Sequence, residues 1–98
     1  MKISKIAEVL RADVLCCEEN LEAEVASACA ADMMSDVLAF VKDHAVLITG
    51  LCNPQVIRTA EMMDIVCVVY VRGKVPDAMS IELAKSKNIV LMTSKYRM

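Results

Sequence analysis

Three short apolar runs, Ala45–Thr49, Ile65–Val71 and Ile89–Thr93, alternate with two segments of helical period. Each run has the length and β-branched content of a strand covered on both faces. Between them, Val56, Ile57, Ala60 and Met63 form one helical stripe, and Ala78, Ile81 and Ala84 another. Strand, helix, strand, helix, strand in so little chain predicts right-handed parallel crossovers. Asn53-Pro54 reads as the first helix start, with Asn as cap and Pro at the first helical position. The second helix is predicted from Pro76 to Lys87. Lys85 and Lys87 complement its dipole, and Asn88 suits the left-handed position after it. In an open parallel sheet, ligands gather at the carboxyl ends of the strands. Here those ends read Thr49-Gly50-Leu51-Cys52-Asn53, Arg72-Gly73-Lys74 and Thr93-Ser94-Lys95.

The first half is less regular. Ile3, Ile6, Ala7 and Leu10 mark a short amphipathic helix, Val14–Cys17 a strand, and Glu18–Asn20 a polar turn. Leu21–Ala31 alternates like a strand, although its many alanines favour helix. A helix is predicted from Met33 to Lys42, capped by Asp32, with Asp43-His44 as its exit. These pieces are expected to add strands and helices at one edge of the sheet. The fold expected is α/β: a small three-layer domain with a mainly parallel central sheet flanked by helices, one domain over residues 1–98.

The 57% hydrophobic fraction exceeds the ~45–50% usual for soluble domains. Two readings of that excess stay open: apolar surface facing another subunit, which eight methionines would suit, or an aliphatic core rich in Met. A net charge of -2, with no basic stripe, argues against nucleic acid. No apolar stretch approaches the ~18 residues of a membrane span, and the start, Met1-Lys2-Ile3-Ser4-Lys5, lacks the marks of a secretory signal. A cytoplasmic location is expected. The five cysteines, Cys16, Cys17, Cys29, Cys52 and Cys67, have no C-x-x-C spacing. They are expected to be reduced, with no metal and no cofactor, and Cys67 to be a buried small hydrophobe.

Cys52 and Arg58 stand in the C-x5-R spacing of a phosphate-cradling cysteine phosphatase loop, with Thr59 following. Such a loop holds a thiolate at a helix N-terminus and an Arg around the phosphate. The intervening Asn53-Pro54-Gln55-Val56-Ile57 has no Gly, and Pro54 removes a backbone donor. An early helix start would leave Arg58 inside the helix. Cys52 is expected at most to be a somewhat acidic, accessible thiol. His44 has no positioned carboxylate or Ser, and Asp32 with Asp36 are two carboxylates on one helix face, neither arrangement catalytic by itself. Gly50 and Asn53 admit an anion at a strand-to-helix turn, with charge from Arg72, Lys74 and Lys95. They equally admit a tight turn and a cap.

Ile48-Thr49-Gly50, Gln55–Ala60, Val69–Asp77 and Ala84–Thr93, taken in order, resemble the DRTGG domain family over most of the chain, Leu21–Asp36 more loosely. In its D-R-T…G-G pattern, Leu51-Cys52 and Asn53-Pro54 stand here for the Asp-Arg, and Arg72-Gly73 for the Gly pair. The resemblance implies a regulatory or dimer-forming module without established catalytic residues, similar in fold to the amino-terminal domain of HPr kinases. It also implies kinship with domains that accompany kinase-like, phosphotransacetylase-like and CBS-containing pyrophosphatase modules, and with accessory proteins of iron hydrogenases.

The function expected is a non-enzymatic regulatory or accessory domain, a homodimer, taking a small anionic or nucleotide-type ligand at Thr49, Gly50, Asn53, Arg72 and Thr93. A larger enzyme or kinase-like protein is a further expected partner. The alternatives are a cysteine-dependent phosphoryl- or sulfur-transfer enzyme using Cys52 and Arg58, and a ligand-free scaffold for a redox enzyme.

Overall fold

The computed structural model describes residues 2–30 and 45–95, and of Ser27, Cys29 and Ala30 only the backbone. The helix predicted at 33–42, with Asp32, Asp36 and His44, lies outside the described residues.

The three apolar runs are strands β3 (Ala45–Thr49), β4 (Cys67–Tyr70) and β5 (Val90–Thr93), joined by helices α2 (Gln55–Met62) and α3 (Ala78–Lys87). All three strands are parallel, in register Leu47↔Val68↔Leu91 and Thr49↔Tyr70↔Thr93. Leu47, Val68, Val69, Val90, Leu91 and Met92 are fully buried, each stabilising the sheet by about 1.5–3 kcal/mol. Both faces must therefore be covered, and the strands read as unbroken apolar runs for that reason. Cys67 is buried as expected.

The first half does not gather at one edge. Helix α1 (Ile3–Leu10) leads into β1 (Asp13–Cys16), which pairs antiparallel with β5. After a 3-10 turn at Glu18–Asn20 the chain reaches β2 (Ser27–Ala30), which lies parallel to β3 at the far edge. The five-stranded order is β1-β5-β4-β3-β2. Hydrophobic period fixes which face a strand buries and says nothing of its neighbour, so the split was not legible locally. Residues 21–26 stay out of the strand because they secure α1. The Leu21 carbonyl accepts from Ser4 N–H at 2.8 Å, and that of Ala23 from Ile3 N–H at 3.1 Å.

β3, β4 and β5 step across the sheet in one direction, so right-handed crossovers put α2 and α3 on the same face. Lys87 and Glu61 join the two helices at 3.2 Å. Helix α1 takes the opposite face, where Ile6, Val9 and Leu10 line a groove of about 410 Å³ with Ala28, Val46 and Ile48. The result is three layers, as the sequence predicts.

Two helix starts differ from expectation. Asp77, not Pro76, opens α3: its carboxylate accepts from Ser80 N–H at 2.8 Å, satisfying a first-turn donor. Asn53 caps α2 through its backbone alone. Its carbonyl accepts from Val56 N–H at 3.2 Å, Pro54 takes helical φ and ψ, and no side-chain cap bond forms. At the other end of α3, Asn88 is left-handed (φ 58) as predicted.

Candidate functional site

The register Thr49↔Tyr70↔Thr93 brings the three strand exits side by side. Backbone bonds continue it: Val71 N–H donates to Thr49 C=O at 3.0 Å, and Ser94 N–H to Tyr70 C=O at 2.8 Å. The β4 exit then turns tightly. Arg72 (φ 60) and Gly73 (φ 70) are both left-handed, and Lys74 N–H closes onto Val71 C=O at 3.1 Å. This primed turn requires positive φ at both central residues, which Gly73 accepts freely and Arg72 at some cost. It sends the Arg72 side chain back over β3. A Cβ placed on Gly50 would fall on the Arg72 guanidinium, so Gly50 is required by that close approach.

Thr49 and Thr93 shape the rim from within. Thr49 is fully buried, and its hydroxyl accepts from Leu51 N–H at 3.1 Å. The Thr93 hydroxyl donates to Lys74 C=O at 2.6 Å. Arg72 and Asn53 are the exposed polar residues of the expected set. Asn53 leads into the first turn of α2, where Val56 N–H donates to Asn53 C=O and Ile57 and Arg58 N–H to Pro54 C=O, while the Arg72 guanidinium lies over Gly50. All five expected residues thus occupy one edge, in two roles.

Cys52 does not behave as an acidic thiol. Burial pushes its pKa up, Lys74 only partly opposes this, and its Sγ donates to Gly50 C=O at 3.7 Å. Arg58 lies on the exposed side of α2, between buried Ile57 and buried Thr59. A thiolate with an Arg curled over an anion is absent from this loop, so the cysteine-dependent enzyme reading is not favoured. Among the described residues, no three His, Cys, Asp or Glu side chains converge.

Beyond Thr93 the edge changes character. Leu10, Arg11, Asp13, Gly73, Val75, Thr93, Ser94 and Lys95 enclose a crevice of about 660 Å³. Its floor is Ser94, whose buried hydroxyl donates to Leu10 C=O at 2.7 Å and whose carbonyl accepts from Gly73 N–H at 2.9 Å. Those bonds fix Ser94 in the floor of the crevice. Arg11 and Asp13 escaped the sequence reading; the polar break Arg11-Ala12-Asp13 between helix and strand was the available signal.

The sequence matches the family model of the DRTGG domain over residues 5–97. The chain belongs to the DRTGG domain family. No curated protein sequence matches it. Among solved structures, this DRTGG domain is similar to the CBS and DRTGG domains of the regulatory region of Clostridium perfringens pyrophosphatase, crystallised with the activator diadenosine tetraphosphate. The TM-score is 0.72 at 18% identity, over 98% of this chain. The DRTGG domain described here spans 42% of that neighbour's chain, and at this identity the likeness is one of fold.

Proposed function

We propose that this DRTGG domain is a non-enzymatic regulatory or accessory module of the cytoplasm. It acts as a homodimer and binds a small anionic, nucleotide-type ligand at the carboxyl edge of its sheet. The observation that carries the reading is the exposed Arg72 guanidinium, held over Gly50 at the β3 exit. A guanidinium at the carboxyl edge of a parallel sheet can hold an anion bidentately where such sheets place their ligands. The same set includes Thr49, Asn53 and Thr93, the first and last as walls. The fold neighbour comes from an enzyme's regulatory region complexed with a nucleotide activator, which supports both the role and the ligand class.

A thermal-shift series with nucleotides and phosphorylated metabolites tests the ligand. At about 100 times Kd, a ligand adds roughly 2.7 kcal/mol to stability. No shift with any of them removes the reading. The dimer has its own test. Val9, Met62, Val75 and Met79 are exposed large apolar side chains, and sedimentation at micromolar concentration should give twice the chain mass.

A further inference from the structure

The crevice beside β5 differs from the rest of the edge in how the chain leaves it. α2 and α3 both follow their strands onto one face, so the connections after β3 and β4 run side by side. At β5 the situation reverses. The β4–α3 connection, with Gly73 and Val75, departs toward the α3 face, while α1 descends from the other face to deliver Arg11 and Asp13. The gap between these two connections lies outside the carboxyl end of β5, and the carboxyl ends of parallel strands are where open α/β sheets place ligands.

What lines that gap is specific. Leu10 and Val75 provide apolar walls from opposite sides, Arg11 and Lys95 two cations, and Asp13 one carboxylate. A volume of about 660 Å³ lies within the ~300–1,000 Å³ of small-molecule clefts. Arg11 is the informative residue. It ends α1 in the left-handed conformation (φ 50), with its N–H on Ala7 and Glu8 carbonyls. Glycine is the usual occupant of that position. Arg11 there puts a cation on the wall of the crevice.

We infer that this crevice is a nucleotide pocket. Arg11 and Lys95 bind the phosphates, Asp13 accepts from the ribose hydroxyls, and Leu10 and Val75 flank the base. The inference rests on the reading that the carboxyl edge binds an anionic ligand, and it names both the chemical class and the place. The rim at Arg72 and Gly50 adjoins the pocket through the Arg72-Gly73 turn.

The test uses the full chain, with ATP and inorganic pyrophosphate as probes, followed by calorimetry and by amide chemical shifts. ATP should shift Gly73, Thr93 and Lys95. Arg11→Gly should weaken ATP by about tenfold or more while leaving the melting temperature unchanged or higher, since glycine suits the left-handed cap. Lost binding then cannot be put down to unfolding. Asp13→Asn should weaken ATP but leave pyrophosphate as tight or tighter, because only the nucleotide uses the carboxylate. If ATP binds with shifts confined to Gly50–Asn53, is lost in Arg72→Ala and is indifferent to Arg11→Gly, the crevice assignment is overturned and the edge reading stands. If neither probe binds, both fall.

Discussion

The exits of β3 and β4 and the exit of β5 share one edge of one sheet, yet a guanidinium lies over the first while a crevice opens beside the last. Between β3 and β4 the Arg72 guanidinium fills the space above Gly50. Past β5, about 660 Å³ stays clear between Leu10 and Val75. The strands do not differ in kind: Thr49, Tyr70 and Thr93 are in register and largely buried. The connections differ. Two neighbouring crossovers leave the rim on one face, whereas an antiparallel neighbour reached from the other face flanks the crevice. Locating a site in a small α/β domain therefore depends on what flanks each strand more than on which residues end it.

The largest test of this contrast removes the shared floor. Leu47→Ala, at a fully buried position on β3, should cost about 3 kcal/mol by urea unfolding, within the 2–5 kcal/mol of such truncations. It should loosen both exits together. Gly73→Ala tests the turn that separates them. Its surroundings are empty but its φ is +70, so the cost is backbone strain alone, about 1 kcal/mol. Chemical shifts should move at Thr93, whose hydroxyl donates to Lys74 C=O.

Acid should act on one side only. The Asp77 carboxyl is held below its ordinary 3.8, first by the Ser80 backbone N–H. Because the folded pKa is depressed, its contribution is present above the ordinary value and is lost as pH falls through the folded one. Urea midpoints between about pH 5 and about pH 2 should fall less steeply in Asp77→Asn than in the parent. Tyr70→Phe should be neutral or slightly stabilising, within about 1 kcal/mol. The phenol is fully buried, burial raises its pKa far above the ordinary range, and its hydroxyl has no hydrogen-bond partner among the described residues. A clear loss of stability there would mean that the hydroxyl is satisfied in solution. Arg72→Ala should be smallest, within about 0.5 kcal/mol of the parent, while uncovering the β3 exit to amide exchange at Leu51 and Cys52.

Much of the second half was readable because its signals are local. β-branched runs mark β3, β4 and β5, Asn88 takes the left-handed end of α3, and Gly73 supplies the positive φ of the β4 turn. The order of exits follows from parallel crossovers, which local sequence does specify. The first half was misplaced because β1 meets β5 through contacts between the two ends of the chain, and no pattern within Asp13–Cys16 names that partner. The same gap hid the crevice. Arg11 and Asp13 look like an ordinary polar break until α1 is seen to arrive from the far face. The role of Ser94 was hidden for a similar reason: the acceptor of its hydroxyl is the carbonyl of Leu10, remote in sequence. Asn53 was misread on a finer scale, since an Asn before a Pro is a cap signal whether its side chain or its carbonyl serves.

The pairing of Asp13 with Thr93 also sets a timetable. As a ribosome emits the polypeptide, the earliest strand must wait, edge bare, for the latest one. β3 and β4 can assemble meanwhile on their own short crossover. Until Thr93 has cleared the exit tunnel β1 stays unpaired and the crevice beside β5 lacks a wall, although α1 can already settle against Leu21, Ala23 and β3.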